Sequence, residues 1–334
     1  MVSHLSLTHR AVASTVLMVP PPDASAADDA QTPSPALSVS SNDLSRAVRC
    51  HEPTIQGSAR VRQPVLLVPG TTATGAEQWD WGYVPALRRA GFPVCTVDLH
   101  ERGLGDMQVS AEYVVHAIRY MKRTFHSKID VLGYSQGGIL ARWAVKFWPD
   151  VRRAVDDVVL LEVPVNRGTL MGNVLCAVPC IPVAKQVRAG SAFFRALNRG
   201  GEAPGAVDYT SILSKTDEVV IPQGQRSVSL FLGEAPNLSN VEIQSICPGR
   251  VVDHMLAPSD AVGYAIALDA FAHPGPADQA RISHSACRVI GLPGTTPLQV
   301  VANTARFTLR AGPMLAGVGY PTVVHEPALR AYAR

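Results

Sequence analysis

Gly133-Tyr134-Ser135-Gln136-Gly137 carries the plainest chemistry in this sequence. A serine between two glycines, preceded by the apolar run 129–132 and followed by a helical pattern, fits a nucleophile on a sharp strand-to-helix turn. Such a turn strains a residue that has a Cβ, and it brings its flanks so close that Gly133 and Gly137 must be small. It also sets the hydroxyl at a helix N-terminus, where free N–H groups and the helix dipole favour negative charge.

A serine hydroxyl is a weak nucleophile at neutral pH. It needs a base, and the base needs an acid to fix its tautomer. On a strand–turn–helix scaffold of this type, the acid and then the histidine follow the serine in the chain. Asp217 lies just past the run 209–213, and His254 lies a few residues past the run 241–246. Ser135, Asp217 and His254 thus each follow a different strand, in the expected order. Asp253 is the weaker alternative acid, because sequence neighbours rarely face one another. His273, His284 and His325 also follow the serine.

The tetrahedral intermediate of acyl transfer needs donors for its oxyanion. One is expected from the N–H of Gln136 and the other from the loop Pro69-Gly70-Thr71-Thr72, where Thr71 can offer both N–H and hydroxyl. Losing one such donor typically costs about 3–4 kcal/mol of transition-state stabilisation.

These residues need a scaffold of parallel strands. Short apolar runs at 64–68, 93–97, 129–132, 158–163, 209–213 and 241–246 suit buried strands. Helical patterns lie between them at 111–125, 137–147 and 191–197, the last closed by Asn198-Arg199-Gly200-Gly201. The alternation predicts an α/β fold with a doubly wound, mostly parallel sheet. Residues 165–206 interrupt it as a long apolar excursion, the kind of insertion that serves as a lid or cap. No internal repeat or second-domain boundary is visible, so residues 46–334 read as one catalytic domain.

The 334 residues, 47% of them hydrophobic and 17% charged, are enough for one large α/β domain with a packed core. A net charge of +3 with scattered basic residues argues against a nucleic-acid groove. No apolar run reaches the roughly 18 residues of a membrane-spanning helix. His4, His9 and Arg10, the apolar stretch 11–20 and Ala24-Ser25-Ala26 read as a signal peptide over 1–26, with a flexible leader over 27–45. An even count of six cysteines beside such a leader favours disulfides in an oxidising compartment, with the pairing left open. Cys176 and Cys180 could close a small loop.

The chain resembles the Candida antarctica lipase B family of α/β-hydrolase lipases, from about Cys50 to its end. The likeness is densest at Pro64-Val65-Leu66-Leu67-Val68-Pro69-Gly70-Thr71, Tyr134-Ser135-Gln136-Gly137-Gly138, Thr216-Asp217-Glu218-Val219-Val220 and Val252-Asp253-His254. The resemblance implies an α/β-hydrolase fold, the triad Ser135, Asp217 and His254, and an oxyanion hole of Thr71 and Gln136. It also implies the disulfides Cys50–Cys95 and Cys247–Cys287. The implied activity is carboxylic-ester hydrolysis, lipase-type on triacylglycerols, by a secreted monomer that uses no metal or organic cofactor. Its partner would be an apolar ester or a lipid–water interface. A short-chain esterase or polyester depolymerase would use the same residues, and a non-catalytic binding protein would be expected to lack one of them. The sequence departs from the family at Tyr134, where the lipase has tryptophan, and at Val165, where it has an aspartate beside the acyl pocket. Cys176 and Cys180 have no counterpart, and the family's last disulfide is missing.

Overall fold

A computed structural model describes residues 32–54, 62–176 and 179–334. The signal-peptide reading of 1–26 lies outside the described residues. Seven strands form one sheet in the order β1-β3-β2-β4-β5-β6-β7. These are β1 (Val48–His51), β2 (Val65–Val68), β3 (Val94–Val97), β4 (Ile129–Tyr134), β5 (Val155–Leu161), β6 (Asp208–Leu213) and β7 (Leu238–Glu242). Only β1 runs antiparallel to its neighbour, β3. The central strands β2, β3 and β4 are buried at every residue, which is why their sequences are mostly apolar rather than alternating, Thr96 and Asp130 being the polar exceptions.

A parallel sheet puts the carboxyl ends of its strands along one edge, the usual place for a ligand site. Val68 of β2 pairs with Gly133 of β4, and Tyr134 pairs with Leu161 of β5. The loops that leave these ends, together with the one after β6, bring Thr71, Ser135 and Asp217 to the same edge.

Helices cover both faces. On one, the helix Met107–Phe125 buries Val114, Ala117, Ile118 and Met121 and begins at Asp106, whose carboxylate accepts from the Gln108 N–H. It packs with the helix Gln136–Phe147 in a core that includes Trp143 and Trp148. On the other, the helix Ala261–Ala272 joins Trp79, Tyr83 and Phe92 in a second core.

Two sequence expectations change. The run 241–246 is not one strand: β7 ends at Glu242, and Ile243–Ile246 is a helical turn. Ile243 and Ile246 are three residues apart, so one turn buries both against the second core, whereas a strand would point them to opposite faces. The preceding strand is polar because it has a neighbour on one side only, and the Asn240 side chain bonds both the N–H and the C=O of Phe231. The part of the expected loose leader that is described lies against the domain. The N–H groups of Ser38 and Val39 donate to Glu112 at 2.5 and 2.9 Å, the Trp148 indole donates to Pro35 O at 2.9 Å, and Leu44 is buried.

Three disulfides close the described chain: Cys50–Cys95, Cys176–Cys180 and Cys247–Cys287. Cys50 and Cys95 stand opposite each other in the β1–β3 register, so the bond ties the short edge strand to the sheet. Residues 165–206 contain the short helices Leu170–Leu175, Pro182–Gln186 and Ala192–Asn198. Gln186 fastens this region to the head of the helix Met107–Phe125: its carbonyl accepts from the Met107 N–H at 2.8 Å and its amide donates to Asp106 at 2.6 Å. Among the described residues, no helix is long and apolar enough to cross a membrane.

Candidate active site

Ser135 sits between β4 and the helix Gln136–Phe147 with φ 52° and ψ −123°. That backbone conformation is strained for a residue with a Cβ. It is held by a hydrogen bond from the Ser135 N–H to Leu161 O at 2.9 Å and by one from the Gly138 N–H to Ser135 O at 3.1 Å. A Cβ on Gly133 would lie 2.3 Å from Gly138 N, and one on Gly137 would lie 2.3 Å from Val68 O, so neither position admits a side chain.

The loop after β6 meets the loop carrying His254 through three consecutive residues. The Thr216 hydroxyl donates to Val252 O at 2.9 Å, and its oxygen lies 2.9 Å from the Val252 N–H. Asp217 Oδ2 lies 2.7 Å from His254 Nδ1. Glu218 accepts from the His254 N–H at 3.1 Å. Thr216 and Glu218 thus hold the backbone beside the ring, a role that sequence reading did not assign. The signal was present, because Thr-Asp-Glu is a specific run, but spacing alone does not tell which flanking residue reaches across.

His254 Nε2 lies 3.1 Å from Ser135 Oγ, so serine, imidazole and carboxylate form one chain of hydrogen bonds. Asp217 and His254 are both buried. Burial works to raise the pKa of Asp217, but the charge and hydrogen bond of His254 overcome it and hold the carboxyl below its ordinary value. The N–H groups of Val219 and Val220 also donate to Asp217 Oδ1, at 2.7 and 2.8 Å. Asp253, the alternative acid, instead caps the next turn by accepting from the Leu256 N–H at 2.8 Å. His273, His284 and His325 do not line the cavity at Ser135.

Thr71 and Gln136 meet at the same point. The Thr71 hydroxyl donates to Gln136 Oε1 at 3.0 Å, and the Gln136 amide donates to Gly103 O at 2.9 Å. Gln136 is the first residue of its helix, so its backbone N–H has no partner within the helix. The threonine loop is braced from behind: the Thr72 N–H donates to Arg102 O at 2.8 Å, and Arg102 Nε donates to Thr72 O at 2.9 Å.

A cavity of about 200 Å³ opens at Ser135 and His254. Thr71 and Gln136 line it near the serine; Ile139, Val183, Val220, Phe307, Ala311 and Leu315 make its walls apolar. Its walls come from residues 165–206 and from the helix Pro297–Leu315, as well as from the sheet edge. Val165 is not in the wall: it is buried in the core, and Pro164 lines the cavity beside it. Tyr134 lies beneath the serine and is fully enclosed. Among the described residues, carboxylates grouped closely enough to hold a metal ion occur only at Asp130, Asp156 and Asp157. These mark the beginnings of β4 and β5, at the opposite edge of the sheet.

The profile of the class 2 lipases matches residues 62–235. Lipase B of Pseudozyma antarctica is 33% identical over 287 residues, which span 84% of this chain and 82% of that protein. The chain belongs to the class 2 lipase family. The crystal structure of Aspergillus fumigatus lipase B superposes on it with a TM-score of 0.80 at 30% identity, covering 90% of this chain and 73% of the other. The α/β-hydrolase architecture and carboxylic-ester hydrolysis expected from the sequence are those of this lipase family.

Proposed function

We propose that this class 2 lipase is a secreted enzyme that hydrolyses apolar carboxylic esters, triacylglycerols among them, through Ser135, His254 and Asp217. The observation that carries the reading is the hydrogen-bonded chain from Ser135 Oγ through His254 to Asp217, at 3.1 and 2.7 Å, opening into an apolar cavity.

His254, held by Asp217 in the tautomer with Nδ1–H, takes the Ser135 proton as the serine oxygen adds to the ester carbonyl. The N–H of Gln136 and the N–H of Thr71 stabilise the oxyanion, joined by the Thr71 hydroxyl as it turns from Gln136 Oε1. The protonated His254 then gives its proton to the departing alkoxide, which leaves an acyl-serine. Water deprotonated by His254 adds to that acyl group, and the carboxylic acid departs as the serine recovers its proton. The apolar walls favour a hydrocarbon acyl chain. Three disulfides suit an oxidising, extracellular compartment. Leu298, Val301 and Leu309 on the outer side of the helix Pro297–Leu315 are more than half exposed, which favours contact with a lipid–water interface beside the cavity.

The test pairs hydrolysis of p-nitrophenyl esters and emulsified triglyceride with labelling by a fluorophosphonate. The protein is expected to label at Ser135 and to hydrolyse long-chain esters, and Ser135→Ala is expected to abolish labelling and to lower turnover by several orders of magnitude. Unchanged turnover in Ser135→Ala would remove the serine from the mechanism. Activity confined to short acyl chains would make the enzyme an esterase instead.

A further inference from the structure

Glu162 is the residue immediately after β5, and the mechanism above does not use it. Its side chain is completely buried, and among the described residues its carboxyl oxygens have no fully formed hydrogen bond, the backbone N–H of Ser214 just beyond β6 being the donor that faces them. Its backbone stands in the left-handed region at φ 49°, held by a hydrogen bond from its N–H to Ile212 O of β6 at 2.9 Å. That places the carboxyl between β5 and β6, at the sheet edge from which the Asp217 loop departs. The charged groups that face it are acidic: Asp217 beyond β6 and Asp260 at the head of the helix Ala261–Ala272. The remaining titratable neighbour is Tyr134 at the end of β4, whose hydroxyl is committed to His254 O at 2.7 Å.

A buried carboxylate with no cation and a single backbone N–H facing it is costly, and a second negative charge nearby makes it more so. The group escapes that cost by keeping its proton, and a carboxylic acid has one hydrogen to donate. The acceptor side chain that faces it is Asp217, which must stay ionised to serve His254.

We propose that Glu162 is a positioning residue that, as a neutral carboxylic acid, donates a hydrogen bond to the Asp217 carboxylate and so limits how strongly Asp217 holds a proton on His254. This rests on Ser135, His254 and Asp217 being the triad. Burial first, and then the charge of Asp217, push the Glu162 carboxyl well above its ordinary range, which agrees with a retained proton. Asp217 then accepts from His254 at Oδ2, from Val219 and Val220 at Oδ1, and from Glu162. Each donor spreads its charge, and a less basic carboxylate stabilises the imidazolium less. Asp217 thereby orients the His254 ring without over-stabilising its protonated form.

The experiment measures the pH dependence of kcat/KM on a p-nitrophenyl ester for the wild type, Glu162→Gln and Glu162→Leu. Glutamine keeps a neutral donor of the same shape; leucine removes it. The acid-limb midpoint of Glu162→Leu is expected to rise by roughly half a pH unit or more, while that of Glu162→Gln stays near the wild type. A Glu162→Leu midpoint equal to the wild type, or equal shifts in both variants, would overturn the proposal. An infrared difference spectrum, wild type minus Glu162→Gln, gives a second readout that does not need the leucine variant to fold. It is expected to show a protonated-carboxyl band at neutral pH, and its absence would overturn the proposal. Ser135→Ala separates the two levels: if it retains full turnover, the triad itself is wrong, whatever Glu162 does.

Discussion

The Tyr134 hydroxyl donates to the backbone carbonyl of His254 at 2.7 Å, and the two rings lie 5.0 Å apart. The residue just before Ser135 therefore holds the loop that carries His254. Tyr134 is also wedged edge-on against Trp79, so the second core fixes its position. This departure from the family's tryptophan is a structural strut under the site.

Tyr134→Phe tests the strut. It leaves a buried carbonyl unpaired, which costs about 1–3 kcal/mol. The melting temperature is expected to fall accordingly, and kcat to fall more than KM rises, because a looser imidazole harms proton transfer before it harms binding. Thermal unfolding and steady-state kinetics on one ester substrate check both. An unchanged melting temperature and kcat would show that the bond does not matter.

Asp217→Asn addresses the tautomer. An amide in place of the carboxylate can donate to Nδ1, which selects the tautomer in which Nε2 carries the hydrogen and cannot take the serine proton. The expected loss in kcat is about 10⁴-fold. Glu218→Gln, which still accepts from the His254 N–H, is expected to lose far less. Comparable losses in the two variants would deny Asp217 its special role.

Thr71→Val removes the hydroxyl and leaves the backbone N–H. The expected loss is in kcat, by about 10²-fold, at little change in KM, because the hydroxyl is needed when charge develops on oxygen. Valine is nearly the same shape, so circular dichroism should report an intact fold. A change in KM alone would mean that Thr71 shapes the cavity and does not stabilise an oxyanion.

What the sequence made legible, and what it did not, follows from the range of each interaction. The strand–Ser135–helix turn is a local demand on five consecutive residues, so its glycines announce it. Asp217 and His254 were placed by chain order along parallel strands, which topology dictates. The switch at Glu242 from edge strand to helical turn was hidden, because Ile243 and Ile246 look the same in a strand as in a helix when the run is short. Glu162 was hidden for another reason. In the sequence it is one acidic residue ending an apolar strand, and only the fold shows that Asp217 is its neighbour. Thr216 and Glu218 likewise gain their roles from a loop 36 residues away.

The disulfides Cys50–Cys95 and Cys247–Cys287 span 45 and 40 residues of chain. Loop-closure arguments give each about 3–4.7 kcal/mol of stabilisation through the unfolded state. Cys50→Ser with Cys95→Ser is expected to lower the melting temperature by several degrees and to leave kcat nearly unchanged below the new transition, since both positions lie on β1 and β3, with β2 between them and the strand that ends just before Ser135. Scanning calorimetry with matched kinetics checks it. A loss of kcat at a temperature where the variant is folded would mean that the edge strand β1 influences the site.

At the opposite edge of the sheet, burial and neighbouring carboxylates push Asp130 up to about 8 and Asp157 up to about 9. In the unfolded chain both ionise near 3.8. Below that pH both states carry the protons, and the pair leaves stability independent of pH. Between about 4 and 8 only the folded chain keeps them, so rising pH favours unfolding, by up to about 1.4 kcal/mol per pH unit for each group. The loss is complete once pH passes the folded values. Asp157→Asn removes one of the two protons from this balance and spares Asp130 a negative neighbour. It is expected to be more stable than the wild type at pH 8, to differ little at pH 4, and to show a shallower decline between them. Chemical denaturation at a series of pH values measures the slopes directly, and parallel slopes for the two proteins would show that Asp157 is ionised in the folded state at neutral pH.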